Sequence, residues 1–388
     1  MKNSKKNLAM TGGAASAEAL RQINPDVMPI YPITPQTPII FNFAKIQAKG
    51  LVDTEIITVE SEHSAMSACI GSSAAGARTV TATSSQGMAL MNEMLYIASG
   101  MNLPILMLVS ARALSAPLNI HGDHSDVMGA RDTGWAQIFC ENVQEVYDNT
   151  IFGMKLAEKT NVPVMVIMDG FITSHSIENL EILADETVKK IVGEYHPEDY
   201  LLNVSKPLTL GPVAMPNSYF EFKISQAESM QNIFSEYKNI AFEFEKISGR
   251  FHDFFESYRT EDAESVIVVA GSTAGTAKEA VDKLRGLGKK VGILKIKLFR
   301  PFPHEEIGYI LSHAKNVAVL DRAMSIGTFP PIYSEIINSL NQAKSYKLKV
   351  TSYIYGLGGR DIFQKDIEKV FENLDKKSHN KGKINYIK

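Results

Sequence analysis

"ARTVTATSSQGMALMNEMLYIASGMNLPILMLV" (77–109) holds two short apolar runs with a helical pattern between them. The run "LPILMLV" (103–109) is continuous rather than alternating, as a strand covered on both faces requires, and "ARTVTAT" (77–83) reads as its parallel neighbour. Between them Met91, Met94, Leu95 and Ala98 recur at spacings of three and four, one face of a helix. Strand, helix, strand is a βαβ unit, which makes the strands parallel. The same rhythm surrounds it in "DVMPIYP" (26–32), "TEIITV" (54–59) and "VPVMVIM" (162–168). A doubly wound α/β domain over 1–175 follows.

A second series, "ESVIVVAG" (264–271), "KVGILKIK" (290–297), "KNVAVLD" (315–321) and "YKLKVTSYIY" (346–355), predicts a smaller α/β domain over 264–388. Its tail "KKSHNKGKINYIK" (376–388) is polar and basic and reads as a loosely held terminus. The connecting segment 176–263 differs. Met230, Ile233, Tyr237, Ile240, Phe244, Ile247, Phe251, Phe254 and Tyr258 form an apolar stripe. It predicts a helix of roughly 35–40 residues, with a break at Gly249, acting as a packing brace.

A chain of 388 residues has room for about two or three domains. Its 40 basic and 43 acidic residues leave a net charge of −3, which argues against a polyanionic partner such as nucleic acid. The two cysteines, Cys69 and Cys140, sit in apolar contexts with no Cys-x-x-Cys. No iron–sulfur cluster or cysteine zinc site is expected within this chain, and a reducing cytoplasm suits the two thiols. The beginning "MKNSKKNLAMTGG" has no apolar core, and no apolar run approaches membrane-spanning length, so no membrane association is expected.

"GSTAGTAKEA" (271–280) lacks Gly-x-Gly-x-x-Gly and reads as a tight strand–helix turn, and no Walker pattern occurs. "NIHGDHSDVMGARD" (119–132) gathers histidines and acids, yet its spacing fits neither a two-histidine helix nor an EF-hand loop. No metal site is expected there, and the segment reads as a polar loop at the carboxyl end of a strand, where open α/β sheets bind ligands. Arg112 follows the same strand, either as a surface arginine or as a fork for a carboxylate. Glu62 can be a first-turn acid worth ~0.3–1 kcal/mol with Ser61 as the N-cap, and Thr34 can simply end a strand between prolines. Those plain readings leave one coincidence unexplained: Thr34, Glu62, Ser84–Gln86 and Arg112 all fall at strand ends on one edge of one sheet.

The strings "YPITP" (31–35), "ESEHSAMSACIGSSAAGARTVTATSSQGMALMNEMLYIASGMNLPI" (60–105), "ARALSAPLNIHGDHSDVMGARDTGW" (111–135) and "DGFITSH" (169–175) carry a family likeness. With "LFRPFP" (298–303), "VLDRA" (319–323) and "YGLGGRD" (355–361), the chain resembles the α subunit of 2-oxoacid:ferredoxin oxidoreductases, pyruvate type, over nearly its full length. The resemblance implies a pyrimidine-binding thiamine diphosphate domain followed by a transketolase C-terminal-like α/β domain. A separate β subunit would supply the diphosphate and Mg²⁺ grip, with 4Fe–4S clusters in partner chains, γ and ferredoxin-like δ subunits beside it, coenzyme A as co-substrate and ferredoxin as electron acceptor. The chain agrees in lacking Gly-Asp-Gly with a following Asn, which "HGDHSD" and "MDGF" only graze. By the same resemblance Glu62 bonds the aminopyrimidine ring nitrogen, Thr34 contacts the substrate and Arg112 holds its carboxylate. The implied reaction is oxidative decarboxylation of pyruvate to acetyl-CoA, with branched-chain oxoacids or 2-oxoglutarate as sister substrates and a catalytically silent subunit as the other alternative.

Overall fold

Ile105–Ala111 is buried at all seven positions and is the central strand of a seven-stranded sheet. A computed structural model describes residues 6–345, 347–375 and 383–388. From edge to edge this sheet runs Leu298–Arg300, Ala136–Phe139, Val164–Asp169, Ile105–Ala111, Thr79–Thr83, Val27–Ile30 and Glu55–Thr58. Every neighbouring pair is parallel except Leu298–Arg300, which lies antiparallel to Ala136–Phe139. Successive side chains of a strand point to opposite faces. Leu106 and Leu108 accordingly join one apolar cluster with Phe43, Phe152 and Leu20, and Ile105, Met107 and Val109 join another with Met66, Leu95 and Trp135. Both faces are covered, so Ile105–Val109 carries no polar alternation, and Thr79–Thr83 buries even the threonines that alternate with Val80 and Ala82.

The second sheet has six strands in the order Ile384–Tyr386, Lys349–Ile354, Asn316–Asp321, Ser265–Ala270, Val291–Ile296 and Phe255–Tyr258. One face packs into the cluster containing Ile105 and Met107, through Val268, Leu294 and Val319. Its other face is covered by the helices Thr273–Gly286 and Gln364–Asp375.

Two expectations need correction. The long helix is Tyr219–Ser248, 30 residues. Gly249 ends it in the left-handed region (φ +72°), its N–H bonded to the Glu245 carbonyl, the terminator that glycine adopts without Cβ strain. Ile233, Tyr237, Ile240 and Phe244 are its buried stripe, whereas Phe251, Phe254 and Tyr258 lie beyond it. Phe255–Tyr258 is instead an edge strand antiparallel to Val291–Ile296. The polar tail also contains order: Ile384–Tyr386 pairs in parallel with Ser352–Ile354, so ladder bonds outweigh its polar composition. Residues 376–382 of that tail lie outside the described residues.

The two sheets meet at Asp169. Its carboxylate ends the strand Val164–Asp169, with Oδ1 2.6 Å from Nε2 of His124. Oδ2 accepts from Nη1 of Arg322 (3.1 Å), the Ser272 amide (2.9 Å) and the Ser272 hydroxyl (2.5 Å). "GSTAG" is the tight turn expected. A Cβ on Gly271 would lie 2.9 Å from each carboxylate oxygen, and φ there is +73°. Burial pushes the Asp169 carboxyl upward, but the attraction of His124 and Arg322 outweighs it and holds the group well below the usual carboxylate range. Its contribution to stability is therefore present above about pH 4 and is lost as pH falls toward the native value. Removing one member of a buried charge group leaves the others uncompensated. Asp169→Ala is expected to destabilise the chain by about 3–5 kcal/mol in urea unfolding, and a loss within about 0.5 kcal/mol, the size of an ordinary surface substitution, would show that the sheets are fastened elsewhere.

Candidate active site

The larger sheet reverses its winding between Val27–Ile30 and Thr79–Thr83, since Glu55–Thr58 lies to one side and Ile105–Ala111 to the other. Those two strands share a single register pair, Val27 with Thr79. By contrast Val27–Ile30 pairs with Glu55–Thr58 over four residues. Pro29 supplies the reason, because it has no N–H to give the ladder. Side chains take over beyond it: the Thr81 hydroxyl donates to the Pro29 carbonyl (2.7 Å) and Nε2 of Gln36 to the Ala82 carbonyl (2.8 Å). A switch point of this kind is where open α/β sheets place their ligand crevice.

Glu62 stands beside it. Ser61 is the N-cap of the helix Glu62–Ala74, its hydroxyl accepting from the Ser64 amide at 3.2 Å. That fixes Glu62 as the first helical residue, facing inward at 6% exposure. Its carboxylate pairs with no basic side chain among the described residues, and burial lifts its carboxyl above the ordinary range. A dipole gain of ~0.3–1 kcal/mol does not account for burying an unpaired acid, which costs more than a neutral polar group. The carboxylate rests on the turn that follows Thr79–Thr83: a Cβ on Gly87 would lie 2.7 Å from Glu62 Oε1 and 2.6 Å from Thr83 Oγ1.

Arg112 and Thr34 are brought together directly. Arg112 donates from Nη1 to the Thr34 carbonyl (2.8 Å) and from Nε to the Asn119 carbonyl (2.9 Å). Two of its five N–H groups are thereby bound, and Nη2 has no acceptor among the described residues. Burial lowers the guanidinium from its usual value without approaching neutrality. Thr34 is exposed, and its side chain makes no hydrogen bond among the described residues. Ser84–Gln86 lie between the two groups: the Ser84 hydroxyl donates to the Ser110 carbonyl (2.7 Å) and the Ser85 hydroxyl to the Ala113 carbonyl (2.5 Å). Glu62 joins the pair through this turn rather than by direct contact.

Several supporting groups were assigned no role by the sequence. Asn119 links the loop to the second sheet, its Nδ2 donating to the Gly358 carbonyl (3.0 Å), while Asp123 accepts the Gly358 amide (3.1 Å). Gly358 and Gly359 sit at φ +60° and +81°, and a Cβ on either would strike Asn119 or His121 within 2.4 Å. The paired glycines of "YGLGGRD" were the available signal. Asp126, buried under Ser85 and Arg112, gave none. The polar loop 119–132 thus spends His124, Asp123 and Asp126 on internal bonds. Elsewhere Glu141, Glu145 and Glu256 lie within metal-ligand reach of one another, but the Lys295 ammonium occupies their centre at 2.5, 2.9 and 2.5 Å.

Residues 18–241 match the family described as pyruvate flavodoxin/ferredoxin oxidoreductase, thiamine diphosphate-binding, and residues 263–367 match pyruvate:ferredoxin oxidoreductase core domain II. The chain belongs to the pyruvate flavodoxin/ferredoxin oxidoreductase family. Among its relatives in this oxidoreductase family, the pyruvate synthase subunit PorA of Thermotoga maritima is 52% identical over 94% of each chain. PorA of Methanocaldococcus jannaschii is 45% identical over 95% of this chain and 94% of its own. The ketoisovalerate oxidoreductase subunit VorA of Pyrococcus furiosus is 42% identical over 97% and 95%. In fold the chain is similar to a 2-oxoglutarate:ferredoxin oxidoreductase from Magnetococcus marinus (TM-score 0.73, 21% identity, 95% of this chain and 65% of that one). It is also similar to a split-gene transketolase (TM-score 0.57, 13% identity, 95% and 98%). No helix among the described residues is long and apolar enough to cross a membrane.

The Glu62–Gly87 contact is testable in the oxidoreductase complex. Alanine is favoured over glycine in a helix by ~0.8–1 kcal/mol, so Gly87→Ala should leave the helix Ser85–Leu90 intact while its methyl displaces Glu62. A misplacement of about 1 Å can cost ~10²-fold, so turnover is expected to fall at least tenfold with assembly retained. Parent-like turnover would mean that the position of Glu62 is immaterial.

Proposed function

We propose that the chain is the α subunit of a thiamine-diphosphate-dependent pyruvate:ferredoxin oxidoreductase. It would convert pyruvate and coenzyme A to acetyl-CoA and CO₂ while reducing ferredoxin. The observation that carries this is the buried, unpaired Glu62 at the switch-point crevice, in a sheet edge that also presents the uncommitted Nη2 of Arg112. Both fit the pyrimidine half of the cofactor and an anionic substrate. Burial raises the Glu62 carboxyl above its ordinary value, which favours its sharing a proton with a ring nitrogen. Bound thiamine diphosphate supplies a nucleophilic carbon for the 2-oxo group and an electron sink for decarboxylation.

The chain's own residues have three tasks in this scheme. Glu62 would face the aminopyrimidine ring, held against the Gly87 backbone where a methyl would strike its Oε1. Arg112, anchored by the Thr34 and Asn119 carbonyls, offers Nη2 to the substrate carboxylate, a charge-assisted bond that orients the oxo carbon. Thr34, whose backbone carbonyl holds that guanidinium, has an exposed hydroxyl that would donate to the substrate oxygen. The remaining parts belong to partners: a β subunit gripping the diphosphate and Mg²⁺, 4Fe–4S clusters, γ and ferredoxin-like δ chains, and ferredoxin, in the cytoplasm. A branched-chain oxoacid is the second reading, favoured by VorA, which is as similar as several PorA chains.

Two variants of the assembled complex test the roles. Glu62→Gln keeps the shape but not the acid, and turnover is expected to drop ~10²-fold or more, whereas near-parent turnover returns Glu62 to a first-turn acid. Arg112→Lys keeps charge but loses the fork. Loss of a charge-assisted bond of ~1.5–3 kcal/mol should raise KM for the oxoacid roughly ten- to a hundredfold and leave that for coenzyme A nearly constant. A weakened coenzyme A interaction with the oxoacid spared would overturn the assignment. Running the parent complex on pyruvate, branched-chain oxoacids and 2-oxoglutarate separates the two substrate readings by kcat/KM.

A further inference from the structure

Asp126 is 2% exposed, and no basic side chain bonds to it among the described residues. The three hydrogen bonds it accepts all come from backbone amides. Oδ2 takes the Ser85 N–H at 2.8 Å and the Arg112 N–H at 2.9 Å, and Oδ1 takes the N–H of its own neighbour Val127 at 2.8 Å. The first two amides lie just past neighbouring strands, Thr79–Thr83 and Ile105–Ala111. One oxygen therefore bridges the turn on which Glu62 rests and the residue that carries the guanidinium. Ser85 also sits at φ +48°, a left-handed backbone uncommon for a residue with a Cβ, and its amide is turned onto Asp126 there.

We propose that Asp126 is a positioning residue of the substrate site, holding the Arg112 backbone in register with the Ser84–Gly87 turn so that guanidinium and Glu62 face one substrate. Helix capping does not account for the arrangement, because the helix Ser125–Gly129 has five residues and only Oδ1 serves it. A carboxylate kept this dry is costly to retain. Burial, with Asp123 adding repulsion, pushes its carboxyl up to about 7 against the bonds from Ser85, Arg112 and Val127. Apolar packing would fill the space at lower cost but would leave two strand-end amides unpaired.

The inference rests on the oxoacid role of Arg112, and a double-mutant cycle in the assembled complex separates the two. Asp126→Ala removes the bridge outright. Asp126→Asn keeps the shape, but its carbonyl can serve Ser85 and Arg112 only by turning its NH₂ against the Val127 N–H. Expected rises in KM for pyruvate are about thirtyfold for alanine and about three- to tenfold for asparagine, as for one or two weakened hydrogen bonds, with kcat changed less. In an Arg112→Lys background both should shrink to about twofold, because the geometry they disturb is already lost. Equal rises in both backgrounds would overturn the proposal, as would an assembled Asp126→Asn complex with parent KM. Should the alanine variant fail to assemble, the asparagine variant alone decides between these outcomes. If Arg112→Lys by itself leaves KM unaltered, the oxoacid reading fails first, and the proposal with it.

Discussion

The desolvated carboxylate of Asp169 accepts from three parts of the chain at once, and the rest of the structure is arranged around satisfying it. His124 comes from the loop after the central strand, Ser272 from the turn after Ser265–Ala270, and Arg322 from the end of Asn316–Asp321. From Arg322 the bonding continues outward. Its Nε donates to the Gly356 carbonyl, Gly358 accepts from Asn119, and the Asn119 carbonyl accepts from Arg112. The guanidinium at the crevice is therefore set by a path of bonds that starts in the interface between the sheets. A buried charge of this kind is poor evidence for extra stability, but losing one of its partners is costly.

Much of this organisation is legible in the residues. Continuous apolar runs identify the parallel strands because helices on both faces leave no polar side to show. Shorter elements give no such pattern. "AQIF" and "LFR" are too brief for any period to register, and the second is followed at once by a proline. Gly249 reads as a break within a helix and is in fact its end, since a left-handed glycine stops the bond ladder rather than bending it. Pro29 looks wrong for an interior strand, yet its missing N–H is what ends the pairing at the crevice.

The candidate site divides in the same way. Thr34, Glu62, Ser84–Gln86 and Arg112 are locatable because strand ends can be counted along a sequence. Their chemistry comes from family likeness, since an acid at a helix start and an arginine after a strand are common. Asp126 does not stand out among the acids and histidines of 119–132, because only folding brings it under both Ser85 and Arg112. Glycines are more informative than acids: Gly87, Gly271, Gly358 and Gly359 each mark a close approach that a methyl would block.

The strand Leu298–Arg300 leaves the second sheet's sequence and completes the first. On the ribosome, Ala136–Phe139 is made more than a hundred residues before the segment that covers its edge. Until then a strand that ends up buried at all four positions has unpaired amides and carbonyls open to any passing chain. The nascent polypeptide thus carries a sticky margin through much of its synthesis, and a fragment ending short of Leu298 would keep it permanently. Expressing the first half alone invites aggregation, so for protein engineering the two α/β units are one inheritance, exchangeable with a relative only as a pair.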